Sequence, residues 1–300
     1  MTRTTTATYE NPAGKVWTAA PGVARITTNG LLVEPARTNY VLQSATANKA
    51  AEATGTLPTG ACVGWHDGTG NMTIANGTAT TTGLSCAAVA PGTLCTFTVT
   101  VGGTMAITTA AGATHAQIEC VGSYRTSRIV TTTTAVIRNA DVVSATVPAV
   151  SKKFCLAASA YRPNGTTWLA GSLNKVFAEV GNRITNTFDV GIDGVAKPYW
   201  EAADTAGNWR YTNAASVSVV SDVSHRLGGC FDAWTLTQYL DGAQLAATFT
   251  TIGTPGTLTP ATTMYLGSGA NGTNYQIGGF LKNVKLCNGN KAADAWKVCK

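Results

Sequence analysis

Apolar and polar residues alternate with a period of two along much of this chain. In CTFTVTV (95–101), Cys95, Phe97, Val99 and Val101 fall on one side and Thr96, Thr98 and Thr100 on the other. That is the pattern of a half-buried antiparallel strand. MAITT (105–109) and HAQIECVG (115–122) read as further strands, with Gly102-Gly103 and Gly112 between them. Downstream come nine more strand-like runs: KFCLAASAYRP, NTFDVGIDG, KPYWEAAD, NWRYTN, SVSVVS, HRLGGCFD, WTLTQYLDGAQLAATF, TMYLGSG and GGFLKNVKLC. In the seventh, Trp234, Leu236 and Leu240 share a face, and Asp241-Gly242 is a type I′ hairpin pair. Helical character is confined to NKAADAWKVCK (290–300), where Ala293 and Trp296 can pack back on a sheet. Residues 45–80 show no clean period, and GSGANGTN (267–274) reads as a long surface loop. Many short strands punctuated by turns predict an all-β chain built of sandwiches or jelly rolls.

Composition agrees. Charged residues make up 12% of the chain, about half of the usual 25% or so. Thr, Ser, Asn and Gly must therefore supply the polar surface, and these suit strands and turns. The net charge of +6 is scattered, with no run of five basic residues. No nucleic-acid footprint is visible. There is no apolar run of transmembrane length. The first residues, MTRTTTATYENPAGK, contain no apolar signal core, which predicts folding in a cytoplasm.

The eight cysteines are Cys62, Cys86, Cys95, Cys120, Cys155, Cys230, Cys287 and Cys299. None forms a C-x-x-C pair. Cys62 and His66 lack a second ligand pair at zinc-finger spacing. Several read as small buried apolar residues, while the even count leaves disulfides open. Cys155 with Cys287 is the pair the strand-like segments suggest.

Catalytic motifs are missing. His66, His115 and His225 sit in no catalytic pattern, and GLSCA lacks the G-x-S-x-G order. No catalytic residue is assigned. Tyr199, Trp200, Trp209 and Tyr211 cluster within thirteen residues, with Trp168 upstream. Exposed, they would form a platform for sugar faces; filling the core is the stronger reading for aromatics in a sandwich. Asp189, Asp193 and Asp232 are weak candidates for a calcium ion held with loop carbonyls. No other cofactor is expected.

GLLVEPARTNYVLQS (30–44) is unusual in so Thr-rich a chain. Leu31, Leu32 and Val33 can bury against a sandwich. Pro35 keeps Glu34 extended, because a residue before proline avoids the helical region. Glu34 and Arg37 can then pair with each other or with a neighbouring domain, the Arg fork suiting carboxylate and carbonyl partners. Asn39 can close a turn on the backbone.

Residues 30–40 resemble a Gly-Leu-Leu-(Ile/Val)-Glu-Pro-Ala-Arg-Thr-Asn segment of bacteriophage virion proteins, with Tyr40 in an aliphatic position. Residues 116–148 resemble a linker of the same proteins through Gln117, Glu119, Gly122, Thr126, Ser127, Arg138, Ala140 and Asp141, with Arg128 in place of Tyr. The C-terminal segments TQYLDGAQLAATF, MYLGSG and GGFLKNVKLCNG are similar to a concanavalin A-like, or laminin-G-like, sandwich. The resemblance implies an N-terminal arm and clip (1–45), a small β-sandwich (46–140) and a concanavalin A-like jelly roll (141–300). It implies a structural clip made by Glu34, Pro35, Arg37, Asn39, Arg138 and Asp141. It further implies a non-enzymatic protein on the exterior of a tailed-phage virion, made in the host bacterial cytoplasm. Such a tail fibre, spike, head fibre or decoration would contact other virion proteins and host-surface glycan, commonly as a homotrimer. One rival is a cement protein that binds no sugar. The other is a depolymerase, which needs two carboxylates about 5 to 9.5 Å apart in a groove.

Overall fold

A computed structural model describes residues 3–10, 16–46, 48–120, 124–150, 153–162, 175–182, 185–213, 217–220, 223–246, 248–256, 258–269 and 277–288. Every regular element among them is a strand. The arm contributes β1 (Ala7–Glu10), β2 (Val16–Ala19), β3 (Ile26–Thr27), β4 (Gly30–Val33) and β5 (Arg37–Asn39). Next come β6 (Glu52–Ala53), β7 (Gly60–Gly68), β8 (Met72–Asn76), β9 (Thr80–Thr82), β10 (Cys95–Val101), β11 (Met105–Thr109), β12 (Ala113–Cys120) and β13 (Val136–Arg138). The rest are β14 (Val143–Val150), β15 (Lys153–Tyr161), β16 (Lys175–Asn182), β17 (Thr185–Ile192), β18 (Pro198–Ala203), β19 (Trp209–Asn213) and β20 (His225–Asp232). They are followed by β21 (Thr235–Leu240), β22 (Ala243–Gln244), β23 (Thr248–Ile252), β24 (Ala261–Leu266) and β25 (Gly279–Asn288).

Two layered cores result. In the first, a four-stranded sheet, β12-β7-β10-β9, and a three-stranded sheet, β6-β11-β8, enclose Leu57, Met72, Ile74, Phe97, Met105 and Ile118. In the second, two seven-stranded sheets, β14-β24-β16-β17-β18-β19-β23 and β22-β21-β20-β15-β25-β4-β3, enclose Phe154, Phe177, Phe188, Trp200 and Phe231. The chain is thus an all-β sandwich protein. Its N-terminal Leu31-Leu32-Val33 triplet does more than lean on a sandwich. It joins the second one as β4, with Leu31, Leu32 and Val33 opposite Leu281, Phe280 and Gly279. Trp200 requires a flat neighbour, because a Cβ at Gly229 would lie 2.5 Å from the indole.

The alternation in β10 holds for Cys95, Phe97 and Val99 but fails at Val101, which is 57% exposed. The register against β9 shifts between Val99 and Val101. The Asp241-Gly242 hairpin has φ of 50° and 92°, the left-handed pair that type I′ requires. Three expectations are corrected. Residues 217–220 of SVSVVS form no strand; the Val219 amide instead donates to the Ala196 carbonyl. Gly267, Ser268 and Gly269 are buried rather than a surface loop, and the Gly267 amide binds the Phe177 carbonyl. Cys155 pairs with Cys230 across β15 and β20, Cα atoms 4.0 Å apart, rather than with Cys287. Cys287 lies opposite Cys155 on the other flank, in β25, so periodicity alone could not choose between them. Cys62–Cys120 and Cys86–Cys95 are also disulfides, which takes Cys62 out of any metal site. The helix expected at 290–300 lies outside the described residues. No helix of the described residues is long and apolar enough to cross a membrane.

Candidate functional site

The two cores meet where the segment after β4 passes the loop 124–135 and the residues leading into β14. Glu34 is centred there, 4% exposed. Its carboxylate lies 2.5 Å from Arg25 Nη1 and 3.0 Å from Arg138 Nη1. It also accepts the Ser127 amide at 2.6 Å and the Ser127 hydroxyl at 2.7 Å. Burial alone pushes this carboxyl up. Arg138 and Arg25, with the donors on Ser127 and Arg25, outweigh it and hold the pKa at about 2. Arg25 reaches on to Asp141, which Arg3 of the arm also binds at 2.9 Å. Arg138 donates to the Pro35 carbonyl at 3.0 Å.

Arg37 takes different partners from Glu34. Its Nε is 3.6 Å from Glu119 Oε2, and its Nη2 donates to the Tyr124 hydroxyl at 3.0 Å. Two guanidinium groups lie over the Tyr124 ring, Arg37 at 5.1 Å and Arg162 at 3.7 Å from its centroid. Burial, only partly offset by Arg138 and Arg37, holds the Glu119 carboxyl above its usual range. Asn39 bonds backbone across the junction rather than only within a local turn. Its Oδ1 accepts from Val41 and Ile118, and its Nδ2 donates to Ile129. Sequence reasoning missed Arg3 and Arg25. Both stand in irregular stretches where no periodicity marks a buried charge.

Above this network opens a cleft of about 300 Å³. Its walls come from Tyr9 on β1, the Thr27–Asn29 turn, Trp65 and Asp67 on β7, Tyr124 to Arg128, and Gly278 to Phe280. Trp65 is only 2% exposed, and its indole nitrogen has no hydrogen-bond acceptor. Arg125 lies over the Trp65 ring at 5.6 Å. Arg128 is tied to Asp67 at 2.6 Å. Hydroxyls, an amide, charged forks and aromatic surface thus converge in one concave place, the usual make-up of a small-ligand site. Of the two carboxylates in the cleft lining, Glu34 is held ionised by its guanidinium partners, and Asp67 forms an ion pair with Arg128.

The other predicted residues are scattered. Trp200 is wholly buried in the core and Tyr199 is 2% exposed, so neither offers a face to a sugar. Trp209 and Tyr211 are half-buried on β19, and Trp168 lies outside the described residues. Tyr199 and Trp200 are therefore interior residues, in keeping with the stronger core reading, and form no platform for a sugar. The calcium candidates do not converge. Asp193 accepts the amides of Val195 and Lys197, while Asp232 pairs with Lys153 at 3.1 Å. Asp189 stands in register between Glu179 and Glu201 on adjacent strands, but Asp189 and Glu179 are fully buried. No group of three metal-ligating side chains is present among the described residues.

No protein-family model and no curated protein matches the sequence. Similar solved structures include the CBM40 of Ruminococcus gnavus IT-sialidase bound to α2,3-sialyllactose. It is 12% identical, with 53% of this chain and 97% of that chain covered and a TM-score of 0.36. The heptameric SAP-like pentraxin of Limulus polyphemus is 8% identical over 52% of this chain and 72% of its own, at TM-score 0.37. Domains LG4-5 of the mouse laminin α1 chain are 12% identical, cover 91% of this chain and 93% of theirs, and score 0.34.

Proposed function

We propose that this chain is a non-enzymatic glycan-binding protein of a tailed-phage virion, exposed on a tail or head appendage, and that the junction cleft is its sugar site. The observation that carries the binding role is the cleft itself. It combines aromatic walls, two guanidinium groups and a rim of threonine hydroxyls in a volume of about 300 Å³. Sugars present hydroxyl edges and apolar C–H faces, and such a lining answers both. The virion role rests on the resemblance of residues 30–40 and 116–148. The disulfides suit a protein that works outside a reducing cytoplasm. The decoration reading keeps the same clip and lacks the sugar.

A glycan array probed with the purified chain tests the binding role. Binding that disappears on Phe280→Ala, a half-buried wall residue, in a variant whose melting profile shows it folded, supports it. An array without signal favours the cement reading. Gold-labelled antibody on intact virions tests the location: label at tail or head appendages supports the virion role, and no label overturns it.

A further inference from the structure

Within the cleft the charges do not balance. Glu34 is answered by Arg25 and Arg138, and Asp67 by Arg128. Arg125 is the remaining cation of the lining, and no acid of the described residues lies within ion-pair distance of it. It is half-buried, yet none of its nitrogens is sealed from solvent without a hydrogen-bond partner. Its guanidinium is held over the Trp65 ring. An arginine stacked on an aromatic face has already given up much of its side-chain freedom, so less is lost when its fork closes on a ligand. The same fork matches a planar pair of oxygens in two parallel hydrogen bonds.

We infer that the cleft selects acidic glycans, with Arg125 binding an anionic substituent of the sugar: the carboxylate of an acidic monosaccharide or a sulfate ester. This rests on the glycan-binding reading above and adds the ligand class to it. The sugar ring would lie against the wall formed by Tyr9, Asn29 and Phe280, which line the same cleft. The anion would meet the one charge in the lining that forms no ion pair among the described residues. Arg128 is already engaged by Asp67, so Arg125 is the guanidinium of the lining that is left to meet the anion.

The test is calorimetric titration of the full chain with three oligosaccharides of equal length: neutral, uronic-acid-containing and sulfated. It is repeated with Arg125→Gln and Arg125→Lys. The acidic sugars should bind, and binding should weaken with added salt. Arg125→Gln should lower their affinity by about tenfold or more, since charge-assisted bonds are the strong ones. Arg125→Lys should recover only part of it. Arg125 makes no ion pair among the described residues, so matched melting curves should show that the variants fold. Whichever of the two acidic sugars binds more tightly identifies the anion. If the neutral sugar binds as tightly as the acidic ones, the acidic selectivity is overturned while glycan binding stands. If acidic sugars bind but Arg125→Gln changes nothing, the assignment to Arg125 is overturned. If no sugar binds, the glycan-binding reading itself falls.

Discussion

Glu34 and Asp141, 107 positions apart, hold each other in both directions. The Asp141 amide donates to the Glu34 carbonyl at 2.9 Å, and the Glu34 amide donates to Asp141 Oδ2 at 2.9 Å. Arg25 spans both carboxylates. The link fixes the end of β4, which lies between β25 and β3 in one sheet of the second core, to the chain entering β14 at the edge of the other sheet. It also sets the floor beneath the cleft.

Glu34→Gln should be costly. It removes a buried carboxylate and leaves Arg25 and Arg138 facing a neutral amide. Breaking one side of a buried ion pair costs about 3–5 kcal/mol. Urea unfolding monitored by tryptophan fluorescence should show a loss of that order. A loss below about 1 kcal/mol would mean that the junction does not depend on this charge.

Acid should loosen the same junction. The Glu34 pKa is about 2 in the folded chain against an ordinary 4.5. The folded state therefore holds fewer protons than the unfolded state inside that window. The stabilisation is complete above the unfolded value and is lost as pH falls from about 4.5 to about 2. Stability measured across this range should fall less steeply in Glu34→Gln than in the wild type.

At the alkaline end the sign reverses in cause but not in slope. Burial, helped by Arg162 and Arg37, lowers the Lys175 pKa from 10.5 to about 8. Between those values the unfolded chain binds more protons, so this group makes stability rise with pH. Lys175→Met should remove the rise, and parallel unfolding curves from pH 7.5 to 10.5 would show it. An unchanged slope would place the lysine in solvent.

The Cys62–Cys120 bridge closes a 58-residue separation between paired strands. Its removal in Cys62→Ala/Cys120→Ala should cost about 4 kcal/mol on the loop-entropy account. Non-reducing peptide mapping checks the pairing, and a melting scan checks the cost. A Cys120 peptide linked elsewhere would overturn the register of β7 with β12.

Some of this was legible in the sequence and some was not. The half-exposed strand β10 announced itself, because one face met solvent and alternation followed. β7 did not, because Cys62 to His66 are all buried in the middle of a sheet, and a strand covered on both faces has no period to show. Glu34, Arg37, Asn39, Arg138 and Asp141 could be singled out as a group by resemblance. Their actual partners could not. Arg25 and Arg3 reach the network from irregular arm segments, and Ser127 from a loop. For the aromatic cluster at 199–211, sequence left a sugar platform open beside the stronger core reading; Tyr199 and Trp200 are buried, while Trp209 and Tyr211 stay half-buried, a difference set by what each sheet face packs against.

By itself, then, the sequence determined the all-β class, the hairpin at Asp241-Gly242 and the lack of a catalytic motif, because strand period, turn chemistry and motif spacing are local properties. The tertiary structure alone decided which cysteine faces Cys155, how Glu34 shares Arg25 with Asp141, and that Trp65, Tyr124 and Arg125 line one cleft. Those relationships join residues dozens of positions apart. They exist only once sheet order and register have brought the segments together.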